Sequence, residues 1–430
     1  MTAASQRRAR WLAVVVVLVG AGAVLAAIVY WPRGEPPDLG TESRTYVDAT
    51  VRSVADDTCD DPDTGDEQPC RVVTARLTAG NDEGDTVRFR VLDTQTGVPD
   101  LAEGDKVVLH VTEGAPAAYR YSFADLHRTE PLWWLAGGFV AILLFFARGR
   151  GVRALAGLAI AGAVLVAFLV PALLHDQPAV PVTLAAAALI AFAALYLAHG
   201  VNAGTTVALA GMLTGLALTA GLAFGMAAAL ELTGVGVGRT GAVGLTAGAL
   251  DLRGLLVAGI VIGALGVLDD VTMSQVSIVA TLRRANPGLP PRLVYREASK
   301  AGRDHMASTV TTLILAYAGA SLPLLVLFTQ GGPSLGGLAS SELIATEIVR
   351  MLVGAIGLVL AVPITTALAA IVLPGGEDVL GRRAGRGSIG IDPVEDGGAS
   401  PEPRHAFRRK RRRDRQAGPQ PVEELTPVEP

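Results

Sequence analysis

Hydrophobic positions in this chain gather into long unbroken runs rather than the short clusters of a soluble core. The first run, Trp11 to Trp31, follows Arg7, Arg8 and Arg10. From Pro131 onward apolar runs recur at 131–147, 154–174, 180–198, 205–230, 253–282, 306–328 and 343–373. A helix needs about 20 apolar residues to cross the hydrocarbon of a bilayer, so the pattern predicts an α-helical integral membrane protein of eight transmembrane helices. A cleaved signal peptide has a shorter apolar core that ends in a small-residue cleavage site. The first run is of full length and closes on Ile28-Val29-Tyr30-Trp31, aromatics suited to the far interface, so it reads as an uncleaved anchor.

Between the first two runs the period changes. Thr45–Val54, Arg71–Leu77, Thr86–Val91 and Lys106–Val111 alternate apolar with polar residues and are bounded by Gly, Asp or Pro. Alternation of this kind marks half-buried strands. Four or five of them within residues 32–130 predict a small β-rich domain, for which an OB-like barrel is the working expectation. The expected organisation is an N-terminal arm and anchor at 1–31, the β-rich domain at 32–130, a seven-helix membrane domain at 131–375 and a disordered tail at 376–430.

Composition agrees with this division. Half of the residues are hydrophobic and 18% are charged, against about 25% charged in soluble domains. A soluble enzyme, a coiled coil and a disordered chain are excluded. Arg148, Arg150 and Arg153 follow the second span; Arg283, Arg284, Arg292, Arg296, Lys300 and Arg303 follow the sixth; Arg382, Arg383 and Arg386 follow the eighth. With eight spans these groups and the N-terminal arginines share one side, which the positive-inside rule makes cytoplasmic. The β-rich domain, Asp176, Glu231 and Glu342 fall opposite; Arg239 and Arg253 are the exceptions. The tail is rich in Gly, Pro and Arg and cannot bury a core. Its run Arg408–Arg413 suits anionic lipid headgroups; no nucleic-acid partner is expected.

Familiar motifs add little. Gly236–Gly241 matches G-x-G-x-x-G and Gly332–Gly336 matches G-x-S-x-G. Neither has the strand-to-helix context that gives those motifs their chemistry. There is no P-loop and no HExxH spacing, so no metal or cofactor is expected. Cys59 and Cys70 enclose Asp60, Asp61, Asp63, Asp66 and Glu67. In an oxidising compartment they are expected to form a disulfide.

Candidate chemistry lies in the sixth and seventh runs. Asp269 and Asp270 interrupt an apolar stretch, and intramembrane carboxylates usually face a bundle interior or a wet cavity. Asp270, Ser274, Ser277 and Thr281 follow helical spacing and form one polar stripe. Asp304, Ser308 and Thr311 repeat the spacing beside Arg303. The expected site is therefore Asp269, Asp270, Ser274, Ser277, Arg303, Asp304, Ser308 and Thr311, with the two stripes facing each other and Arg303 as the nearest basic partner of Asp270. The plainer reading keeps the hydroxyls on their own backbone or on neighbouring helices and puts the aspartates at an interfacial helix end.

The runs Gly263–Ser274, Gly302–Thr309, Thr311–Leu325 and Ala361–Thr366 resemble the YibE/F-like family of bacterial multi-pass membrane proteins, over about residues 130–375. The family's aspartate falls on Asp270, with Asp269 beside it. The resemblance implies a multi-pass plasma-membrane protein and no established activity. Three functions are weighed. The first is a permease or ion-coupled transporter of unidentified substrate, with no enzymatic activity. The second is an envelope scaffold or sensor that binds a partner through the β-rich domain. The third, an intramembrane aspartyl protease using Asp270 and Asp304, lacks the G-x-G-D signature, since the run reads Gly266-Val267-Leu268-Asp269. The transporter is the leading expectation.

Overall fold

A computed structural model of the protein describes residues 3–34, 45–60, 67–80, 82–92, 98–112, 114–116, 119–234, 251–329 and 340–373. The chain divides into two compact units, Met1–Arg383 and Ala384–Pro430. The second unit, the rest of the expected tail and both motif look-alikes lie outside the described residues.

Five strands follow the first helix: β1 (Thr45–Asp60), β2 (Glu67–Leu77), β3 (Thr86–Leu92), β4 (Lys106–Val111) and β5 (Tyr121–Leu126). They form one antiparallel sheet in the order β3-β2-β1-β4-β5. β1 pairs with β4 over Thr45–Thr50 and with β2 from Ala49 to Asp60, and a bulge between Val51 and Ser53 interrupts the pairing with β2. Such a bulge bends and twists a strand, and β3 and β5 come together in space. The alternation read in the sequence supplies the interior: Val51, Val73, Ala75, Val87, Phe89 and Leu109 are buried. Beyond β4, the long β1–β2 hairpin is clamped by a disulfide between Cys59 and Cys70, whose Cα atoms are 5.7 Å apart. Closing a loop of this size stabilises by about 3 kcal/mol in the chain-entropy model. Replacing both cysteines by serine should therefore lower the unfolding midpoint of the β-rich domain, measured by thermal denaturation. An unchanged midpoint would show that the hairpin is held without the bond.

The helices are α1 (Ala3–Val29), α2 (Thr129–Ala147), α3 (Gly149–Val164), α4 (Ala179–His199), α5 (Ala203–Ala229), α6 (Leu252–Ala285), α7 (Pro291–Ala320), α8 (Leu322–Thr329) and α9 (Glu342–Val372). α3 continues through a π-helical turn, Leu165–Leu169, into a last helical segment Val170–Leu174. Pro171 explains the irregularity, because it cannot donate to the preceding turn. Among the described residues seven helices are long and apolar enough to cross a membrane. α4, α5, α6 and α9 form the buried core. α2 has no buried residue and exposes Trp133, Trp134, Phe145 and Phe146, a surface that fits lipid rather than water.

The expected span 306–328 is the difference from the sequence reading. It is not one helix but the apolar half of α7 followed, after a break at Ser321, by the short α8. Pro323 accounts for the break: its ring clashes with the carbonyl four residues earlier and it has no N–H to donate.

Short connections order the ends of the bundle. α1 ends and α2 begins where the β-sheet is attached, and His175, just after α3, contacts the Gly34 carbonyl at 3.3 Å. Glu342, at the start of α9, accepts hydrogen bonds from the Thr233 and Gly234 amides, both at 2.7 Å. These contacts define a sheet end. The opposite, far end holds the start of α1, the α4–α5 and α6–α7 turns, and the end of α9.

Candidate functional site

The apolar sections of α4, α6 and α7 stop at one level near the far end, and titratable side chains collect there. His199 is the last residue of α4. On α6, Asp270, Ser274 and Ser277 line one side of an open groove of about 510 Å³, with His199 and His305 on its other walls. The helical stripe read in the sequence is this wall. His305 Nε2 lies 3.9 Å from an Asp270 carboxylate oxygen and has no hydrogen-bond partner. Asp269, one residue round the helix, is within electrostatic reach of His199 and has one enclosed carboxylate oxygen without a hydrogen-bond partner. One carboxylate, two imidazoles and two hydroxyls thus share one open space, with Asp269 beside it. Among the described residues no group of three or more His, Cys, Asp and Glu could hold a metal ion. The chemistry available is the taking and passing of protons or the binding of a small cation.

The second predicted stripe is not brought into this groove. Arg303, Asp304, Ser308 and Thr311 are all exposed, and none of them lines the groove. Thr311 donates to the Ala307 carbonyl at 3.0 Å, the plainer reading of such hydroxyls. The inward face of α7 is set instead by Val294, Ala298 and Gly302, which are buried. A Cβ at Gly302 would come within 2.7 Å of both polar atoms of the Gln275 amide, so only glycine permits this approach of α7 to α6. Helical geometry then turns His305 towards Asp270 and leaves Arg303 about 200° away from it. Behind the groove Gln275 is fully buried and accepts a hydrogen bond of 2.9 Å from Thr366 of α9.

The sequence model of the family described as YibE/F-like protein matches residues 135–375, more than half of the chain. The chain belongs to the YibE/F-like family. No curated protein and no solved structure matches it.

This YibE/F-like chain carries a second polar cluster that the sequence reading overlooked. Near the sheet end Arg350 and Glu347 of α9 form an ion pair of 2.9 Å, each side chain less than a fifth exposed. The Ser321 hydroxyl, at the α7–α8 break, donates to the other Glu347 oxygen at 3.1 Å. Arg350 Nε is enclosed without a hydrogen-bond partner. One turn earlier on α7, Tyr317 sets its hydroxyl against Gly263 of α6, where a Cβ would collide with it. The signal was available: Glu347 and Arg350 stand in an apolar run at a spacing that puts them on one helix face.

An apolar layer separates the two clusters. Val271, Leu358 and Val362 are buried together, with Val267, Met306 and Val310 packed on them. The layer is drawn from α6, α7 and α9, the same helices that carry most of both polar clusters.

Proposed function

We propose that the protein is a permease or ion-coupled transporter of the plasma membrane, and that the seam of α6, α7 and α9 is its pathway. The observation that carries this is the groove of Asp270, Ser274, Ser277, His199 and His305, closed off from the Glu347–Arg350 pair by a dry layer. Charged groups in apolar helices are costly and are usually kept for ion or proton passage. Broken helices beside such groups are a recurrent device of transporters. On this reading the far end is cytoplasmic, where the basic residues gather. The 15 residues 306–320 and the eight of α8 together amount to about 34 Å of helix, enough material for an eighth crossing. Both termini then lie in the cytoplasm, and the basic run of the tail meets anionic lipid. No catalytic step is assigned.

The β-rich domain is read as an OB-like barrel facing the other side. Its bent first strand shares pairing between β2 and β4, and β3 approaches β5, the connectivity of a five-stranded Greek-key barrel. The alternative function, an envelope scaffold or sensor, rests on this domain.

Transport is tested with purified protein in liposomes carrying an internal pH dye. An imposed gradient should drive proton entry above the leak of empty liposomes; a flux equal to the leak under every imposed gradient would sink the reading. Topology is tested separately. Single cysteines at Thr78 and Pro290, both exposed, should react with an impermeant thiol reagent from opposite faces of intact cells or inverted vesicles. Labelling from the same face would overturn the orientation.

A further inference from the structure

The β-rich domain is acidic, with 21 Asp and Glu against 10 Arg and Lys in residues 32–130, yet one of its faces is basic. Arg76 on β2 and Arg88 and Arg90 on β3 are exposed on the side opposite the buried Ala75, Leu77, Val87 and Phe89. Register fixes their relation: Arg76 pairs with Thr86, Thr74 with Arg88, and Val72 with Arg90. Directly paired residues share a face, so the three guanidinium groups lie on one surface interleaved with threonines. Arg52, exposed at the bulge of the neighbouring strand, adds a fourth charge nearby.

None of Arg76, Arg88 and Arg90 has an ion-pair partner among the described residues, whereas Arg71, Arg120 and Arg128 are paired with Asp100, Asp82 and Asp125. Arg90 lies over the Tyr119 ring, 5.8 Å from its centroid. Like charges on neighbouring sheet positions repel. A domain with acidic residues in excess has left this file without an acid opposite it, and a bound anion would remove the repulsion.

We propose that Arg76, Arg88 and Arg90 form a docking face for a linear polymer bearing phosphate groups. Arg88 and Arg90 are about 7 Å apart along their strand, and Arg76 is about 7–8 Å from Arg88 on the diagonal, so one extended chain can meet all three with phosphates a few links apart. Guanidinium forks bind phosphate oxygens two at a time, and Thr74 and Thr86 add hydroxyl donors. The three rows occupied by Arg76, Arg88 and Arg90 follow one another along the strands, about 14 Å from first to last. A single file of this kind matches an extended chain rather than the broad plane of headgroups that a bilayer presents. This inference does not depend on transport.

The test uses the full-length protein in nanodiscs of neutral lipid, with the native disulfide intact and a fluorophore on Thr78→Cys, beside the file. Short-chain inorganic polyphosphate is the probe. A saturable change in fluorescence is expected, weakening as salt is added. In R76Q/R88Q/R90Q the saturable change should vanish, or the log–log salt slope fall by about 2, as expected for three lost charges. R76Q/R88Q/R90Q keeps the basic run of the tail, so a response that survives unchanged in that variant would overturn the proposal. If the triple variant does not accumulate, Arg88→Gln decides, and wild-type affinity in that variant would overturn the proposal. A label silent to polyphosphate would overturn it, as would one that responds only when the nanodisc contains anionic lipid, which would make the face a bilayer contact.

Discussion

Asp270→Asn should reduce gradient-driven proton flux in liposomes to the level of empty liposomes while the protein still inserts and accumulates. The substitution keeps the shape of the side chain and removes its charge, and this carboxylate faces both the groove and His305. Its side chain is 70% exposed in the isolated chain, so no core packing is lost with the charge. Asp304→Asn is the matched control: an exposed carboxylate of α7 that does not line the groove, it should behave as wild type. His305→Gln should leave insertion intact and lower the flux, because it removes the imidazole that faces Asp270 across the groove. If Asp270→Asn transports like wild type, the carboxylate is an ordinary helix-end charge and the proposed pathway loses its inner station.

The largest stability effect is expected at Glu347. Glu347→Gln leaves the Arg350 guanidinium enclosed without its anionic partner, and breaking a buried pair from one side typically costs about 3–5 kcal/mol. Thermal unfolding in detergent should show a large drop in midpoint. Glu347→Gln combined with Arg350→Met removes both charges and should recover most of the loss, since replacing a whole buried pair by apolar atoms is often neutral. A single variant as stable as wild type would mean that water already solvates the pair. The double variant, if stable, then separates the pair's structural role from any role in flux.

How much of this was legible in the sequence depends on whether the information was local. Strand alternation and helix length are local, and β1 to β4 and most apolar runs emerge where the pattern put them. The stripe Asp270, Ser274 and Ser277 was legible for the same reason, because helical spacing alone sets its direction. The partner of Asp270 was not. Which face of α7 turns inward is decided by Gly302 seating against Gln275, a contact between helices that spacing along one helix does not reveal. Arg303 was therefore chosen over His305, although the two are neighbours but one. His199 was hidden because it ends a different helix. Glu347 and Arg350 were overlooked because a charged pair three residues apart barely disturbs a run that is otherwise apolar. The break at Ser321 was foreshadowed by Pro323, but only the structure shows its hydroxyl holding Glu347.

α7 is a single rod of 30 residues, about 45 Å long. Its first half carries Arg292, Arg296, Glu297, Lys300 and Arg303 outside the apolar zone, while His305 sits at its waist and Ser321 at its tip. A helix without an internal break turns and tilts as one body. A push or twist on the charged half, from lipid or a partner, would swing His305 against Asp270 and tug Ser321 on Glu347 in the same stroke. The rod works as a crank, and it makes the two ends of the seam mechanically unable to move independently.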